Sequence, residues 1–291
     1  MRILKAIRNI AMGLTMVGMA GVVDAHAVTI SDITARGTVK IGVLTGAPPM
    51  GMVDEKGNPT GYDVDVANLL GTYLNLPVEV VPLTPPARIP ALQTGKVDFL
   101  VATLSPTGER AKTVMFTQPY NAFNMDIISG PDQNFAKLED LAGKRVSVNR
   151  GSTQETALRK AAIQGLEIVV YEDDSTSAQA LIAGQVDAVA LPSTVGEAII
   201  KQRPEAGLKV GFTFFQQGNS MATKLEDFEL RQWLNTAIYL MKISGDLDTI
   251  AVKWTGRPMP DLPSFSLMAP SAVRVHRVKC SSRSDGAVHA P

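Results

Sequence analysis

Between residues 28 and 270 the chain has neither histidine nor cysteine: its single Cys is Cys280, and its three His are His26, His276 and His289. That absence removes disulfides, zinc sites with nitrogen or sulfur ligands, and any mechanism that uses histidine or cysteine as base or nucleophile in the body of the protein. Enzymes built on carboxylates and lysine remain open, and neither a metal nor a cofactor is expected. Long apolar runs are also lacking. The stretch from Ile10 to Val23 is shorter than the ~20 residues of a membrane span and rich in Gly and Met. With Arg2, Lys5 and Arg8 before it and Ala25-His26-Ala27 after it, the stretch reads as a secretory signal peptide, residues 1–27, rather than an anchor. No cysteine stands near that cleavage site, so a freely soluble periplasmic protein is expected rather than a lipid-anchored one. An excess of one charge is missing too. The whole chain balances 28 basic against 28 acidic residues, and removal of residues 1–27 leaves 25 against 27. Nucleic acid is therefore a poor partner.

The remaining 264 residues are enough for two domains of ordinary size. Residues 38–43 alternate and are β-branched, a first strand that runs into the prolines of a loop at Pro48-Pro49. A helix opens at Asp63 with Val66, Leu69, Leu70 and Leu74 on one face and acids at its amino end. Strands over 78–83 and 97–102 follow, with a short helix over 89–92 between them. A second unit repeats the plan, with strands at 145–148, 167–171 and 188–191 and helices over 153–163 and 177–183. Strand, helix, strand in succession implies parallel sheets with right-handed crossovers, an α/β fold. The stretch 228–254 is helical again and breaks at Gly245-Asp246, and residues 263–291 read as a tail, disordered from 270.

Chemistry concentrates in residues 103–120. Thr103, Ser105 and Arg110 follow a strand directly, where open α/β sheets hold their ligands, and an arginine offers two-pronged bonding to a carboxylate or phosphate. Capping hydroxyls and a surface arginine paired with Glu109 or Asp126 are the plainer alternatives. Ser152 and Thr153 open a helix, where an N-cap and an anion site coincide. Arg88 is either a second cation at the cleft or a structural arginine. Asp63, Asp65, Asp98 and Asp187 sit next to turns and helix starts and read as structural caps. Met50 and Met52 line a pocket or fill core.

Seven segments fall in the order of a known family: Gly61-Tyr62-Asp63-Val64-Asp65, Gly95-Lys96-Val97-Asp98, Glu109-Arg110, Phe116-Thr117-Gln118-Pro119-Tyr120, Leu138-Glu139-Asp140-Leu141-Ala142-Gly143-Lys144, Gly151-Ser152-Thr153-Gln154 and Gly184-Gln185-Val186-Asp187-Ala188. Over about residues 36 to 256 the chain resembles extracellular solute-binding proteins of family 3, the amino-acid-binding components of ABC importers. The resemblance implies two α/β lobes with central mixed, mostly parallel sheets joined by two hinge strands, the type II periplasmic binding fold. Lobe 1 would be 28–122 plus 217–262 and lobe 2 would be 123–216, with hinges near Tyr120 to Asp126 and Phe215 to Ser220. It implies a monomer that captures a small carboxylate-bearing solute, an amino acid or derivative, and passes it to an ABC permease. In such proteins the arginine matching Arg110 grips the ligand carboxylate, helped by hydroxyls matching Thr103 and Ser105 and by the backbone at Ser152-Thr153. Tyr120 would mark the first crossing between lobes, packing the hinge or touching solute.

Three departures from the family pattern bear on the ligand. Many relatives place an Asp that pairs with the ligand ammonium where this chain has Ala190-Leu191-Pro192-Ser193, and many stack aromatic rings at positions matched by Ala47 and by Pro85 or Pro86. The resemblance therefore implies a carboxylate, or an amino acid whose amine is held by carbonyls, hydroxyls or another acid. Two alternatives are a cyclohexadienyl (prephenate or arogenate) dehydratase on the same fold, disfavoured by the missing acid and histidine, and a sensor ectodomain, for which no membrane segment follows residue 262.

Overall fold

The computed structural model describes residues 27–260. The expected signal peptide, Ala27 aside, and the expected tail over 263–291 lie outside the described residues. Eight strands form one continuous sheet, built as two parallel trios on either side of a central antiparallel ribbon. The first trio is β1 (Val39–Leu44), β4 (Val78–Leu83) and β5 (Phe99–Leu104), with β1 in the middle. The second is β7 (Arg145–Asn149), β8 (Glu167–Tyr171) and β9 (Ala188–Pro192), with β7 in the middle. Each trio therefore has the same order of strands, as the repeated plan of the sequence predicts. Between them lie β6 (Met115–Ser129) and β10 (Lys209–Thr223), each of 15 residues and paired antiparallel along their length. β10 joins β5 near Ser220 and Ala222, while β6 joins β9 from Met125 to Ser129. A separate two-stranded ribbon pairs β2 (Met52–Val53) with β3 (Pro59–Thr60).

Helices cover the faces. On the first trio they are α1 (Ile30–Arg36), α2 (Tyr62–Leu74) and α3 (Arg88–Gln93); the second trio carries α4 (Thr153–Ala161), α5 (Asp174–Ile182) and α6 (Ser193–Gln202). α7 (Phe228–Ile243) and α8 (Asp246–Thr255) return to the first trio, and Gly245 between them has a φ of 79°, the left-handed break expected there. Val66, Ala67 and Leu70 of α2, Ile41 and Val43 of β1, Phe99 of β5 and Leu234 and Ile238 of α7 share one buried cluster. Each fully buried Leu, Ile or Phe contributes about 1.5–3 kcal/mol relative to exposure. Gly61 lets α2 begin where it does, because a Cβ there would lie 2.8 Å from Gly51 Cα and Met50 O, and its φ is 129°.

Element boundaries lie within three residues of the sequence reading, the largest shift being the start of α5 at Asp174 rather than Ser177, and three places differ more. The sequence shows no periodicity for α1, which has only 7 residues and rests on a Thr29–Asp32 capping box. α6 follows Pro192 with β-branched residues and a glycine, which lowers its propensity; packing overrides this, since Gly196 admits Ile128 to 2.2 Å from the place a Cβ would occupy. The two long strands contain Pro119 and Gly218, ordinarily strand breakers, and the ladder shifts register between Asn219 and Ser220 beside that proline.

The four aspartates read as caps bind elsewhere. Asp98 accepts from Lys40 N and Arg36, Asp187 from Arg145 N, and Asp65 from Trp254 Nε1 and Lys253 Nζ, so they tie strand edges and helices together. Asp63 is fully buried and caps nothing with its side chain.

Candidate functional site

The carboxyl ends of the inner parallel strands of both trios meet at one cavity. Leu44 ends β1, Thr103 is next to last in β5, Asn149 ends β7 and Pro192 ends β9, and all four line it. The space between atoms there, counted out into open solvent, is about 330 Å³. Six of the eight residues expected from the sequence lie on its wall: Arg88, Thr103, Ser105, Arg110, Ser152 and Thr153.

Arg110 sits in a single 3₁₀ turn after β5 and reaches both halves. Its Nη1 donates to Ser105 O at 2.7 Å and its Nη2 to Gly151 O at 2.8 Å. Neither expected carboxylate partner engages it. Glu109 pairs with Lys112, and Asp126 accepts from Thr213 Oγ1 at 2.6 Å. Burial lowers the Arg110 guanidinium, which nevertheless keeps its charge at neutral pH.

Across the cavity α4 presents its first turn. Ser152 is its N-cap and accepts from Glu155 N at 3.0 Å, so this hydroxyl is engaged in capping while the first amides of the helix remain donors without helical partners. Thr153 donates to Gln217 Oε1 of β10. A guanidinium and the positive end of a helix thus face one another, which is an arrangement for an anion.

Thr103 has a φ of 43°, a left-handed conformation that a β-branched residue adopts only at a cost of about 1–3 kcal/mol. Its amide donates to the Tyr120 hydroxyl at 3.1 Å, and that hydroxyl donates to Asp63 Oδ1 at 2.7 Å. Tyr120 is 2% exposed and stands behind the wall rather than on it. Burial raises Asp63 to about 8, against the lowering effect of the Tyr120 hydrogen bond, so the carboxyl is largely neutral at pH 7.

Arg88 opens α3 and is 5% exposed. It donates through Nε to Pro85 O at 2.9 Å and through Nη1 to Ala102 O at 3.0 Å and Thr103 O at 3.3 Å. It therefore fills both roles left open by the sequence, bracing the end of β5 while placing a cation at the cavity. Burial and then the Arg110 charge lower it to about 9. Ala47 is off the wall, in a tight loop where its amide donates to Gly51 O at 2.9 Å.

Sequence reasoning missed Asn149, Gln154, Gln217 and Asp174, all on the wall. Asn149 was open to discovery by the rule that singled out Thr103, since it too ends a parallel strand. Asp174 lies in the run Glu172-Asp173-Asp174, which looks like an ordinary N-cap, and Asp173 does take the cap by accepting from Thr176 N at 2.8 Å. Burial raises Asp174 to about 7, with the Arg88 charge pulling it down and Asp173 pushing it up.

The model of the bacterial extracellular solute-binding proteins, family 3, matches residues 39–257. The L-cystine-binding protein TcyJ of Escherichia coli (strain K12) is 26% identical over 229 residues, covering 78% of this chain and 86% of that protein. The histidine-binding periplasmic protein of the same strain is 30% identical over 225 residues, 74% of this chain and 86% of that protein. Among solved structures, an ancestral arginine-binding protein bound to glutamine superposes with a TM-score of 0.72 at 37% identity, over 76% of this chain and 99% of that one.

Proposed function

The chain belongs to the bacterial extracellular solute-binding proteins of family 3, and from that premise we propose that it captures a small carboxylate-bearing solute, an amino acid or derivative, in the cavity between its two halves. Solute binding is the function of the family, and the curated relatives are amino-acid-binding proteins. A single observation carries the carboxylate: Arg110 and the amino end of α4 converge on one cavity from opposite sides of the central ribbon. The reading takes 28–122 plus 217–262 as one lobe and 123–216 as the other, with β6 and β10 as the hinge. Contacts available from both lobes only in the closed form then drive closure, and affinity includes the cost of closing. Export to the periplasm behind the signal peptide and delivery to an ABC permease complete the proposal. The dehydratase alternative gains nothing from the curated relatives, which are binding proteins.

The test is a thermal-shift screen of the mature protein against L-amino acids, carboxylates and opines, followed by calorimetry on Arg110→Ala with the best solute. Loss of a charge-assisted two-pronged contact costs about 3–5 kcal/mol, so binding should fall by more than a hundredfold while the unfolding midpoint holds. Unchanged affinity would discard the clamp.

A further inference from the structure

Of the residues lining the cavity, Asp174 alone is acidic. It is 3% exposed. Its Oδ1 accepts from Asn149 Nδ2 at 2.7 Å, and Asn149 Oδ1 accepts from Gln154 Nε2 at 3.3 Å. A chain of amides running from α4 past the end of β7 thus fixes the carboxyl at the start of α5. The described hydrogen bonds engage Oδ1 alone. Both cavity guanidinia donate to main-chain carbonyls, and neither forms an ion pair with Asp174, which Arg88 influences only at a distance. A buried carboxyl without an ion pair is costly to keep, and the helix dipole repays only part of that cost. Residues held under such strain concentrate at functional sites.

A zwitterion gripped by Arg110 brings an ammonium that needs a counter-charge in the same cavity. At the end of β9, the wall offers Pro192, which has no acid to give. We propose that Asp174 holds the ammonium group of the solute, and so makes the site prefer an α-amino acid to the same acid without its amine. The inference rests on the reading of this cavity as the solute site.

The experiment is calorimetry on the full exported chain with each of the twenty L-amino acids and L-cystine, then with the best binder's counterpart lacking the amine, for example glutaramic acid in place of L-glutamine. Wild type should prefer the amino acid by roughly thirtyfold or more, and Asp174→Asn should erase that preference while changing affinity for the amine-free acid less than threefold. Arg110→Ala should lose both. Retention of the wild-type preference in Asp174→Asn overturns the proposal, as does equal loss of both probes in a variant with an unchanged unfolding midpoint. Failure of wild type to bind any amino acid overturns the amino-acid reading of the cavity and this inference together. A pH series on wild type needs no variant. The charged groups acting on Asp174 are Arg88 from α3 and Asp173 beside it. Protonation of Asp174 should weaken amino-acid binding by about tenfold or more between pH 8 and pH 5 and leave the amine-free acid within threefold. A flat amino-acid profile overturns the proposal.

Discussion

Replacing Gly46 by alanine should act on solute binding through a contact between the two halves that does not involve Arg110. Gly46 follows β1, and its carbonyl accepts from Ser175 N at 3.0 Å and Ser175 Oγ at 3.2 Å, at the start of α5 in the other half. A Cβ at position 46 would lie 2.4 Å from Asp173 Oδ2, 2.5 Å from its Cβ and 2.6 Å from its Cγ. Asp173 cannot yield by turning its tip, because its own Cβ is in the way and its Oδ1 holds Thr176 N and Oγ1, both at 2.8 Å. Overpacking of this kind costs about 1–3 kcal/mol, and the two hydrogen bonds to Gly46 O are worth about 1 kcal/mol each. Their sum for the closed form is about 3–5 kcal/mol, or at least on the order of a hundredfold in Kd. If opening parts the two halves there, as proposed, alanine in the open form meets none of these atoms, and stability without solute should stay within about 0.5 kcal/mol of wild type. Calorimetry with the best solute, beside chemical denaturation without it, separates the two. Affinity within threefold of wild type would refute the reasoning. A loss of stability without solute would place the contact in a static fold rather than in closure.

Two further outcomes follow from the buried network behind Thr103. Tyr120→Phe removes the hydroxyl between Thr103 N and Asp63 and leaves a second oxygen of that buried carboxyl without a donor, since Oδ2 already has none. Stability should drop by about 1–3 kcal/mol by denaturation, and solute affinity should weaken several-fold as the hold on the left-handed Thr103 slackens; stability within about 0.5 kcal/mol of wild type would show that the hydroxyl supports nothing. The second concerns Asp63, raised from its ordinary 3.8 to about 8. The native state keeps this proton while the unfolded chain releases it, so the stability it confers is complete below about pH 4 and is lost as pH rises to 8, at about 1.4 kcal/mol per unit. Asp63→Asn keeps a neutral acceptor for Tyr120; it should match wild type at pH 4 and exceed it at pH 8 in urea titrations, and parallel profiles for the two proteins would contradict this.

The parts of the fold legible in the sequence were those whose local pattern and tertiary role agree. The strands around Ile41 and Val146 and the amphipathic face of α7 are of this kind, because burial alone dictates their periodicity. β6 and β10 were legible only as crossings, since Pro119 and Gly218 interrupt a pattern that the opposing strand then enforces. At the site, Thr103 and Arg110 stood out because they follow a strand within a dense polar segment. Asp174 did not, because a carboxylate at a helix start looks the same whether it faces water or a cavity; only the folding of α5 against the Gly46 loop decides between them. Ala47 is not among the residues lining the cavity, and its loop pairs back on Gly51, a closure the proline-rich sequence there does not announce.

The bond from Arg110 to Gly151 O has a kinetic meaning. The guanidinium that would grip the solute also ties the two halves of the molecule to each other. A solute gripped by that group leaves only after the tie breaks. Because its own contacts to both halves also hold them closed, a tighter solute should slow the opening and stay longer, while solutes of different affinity should associate at similar rates.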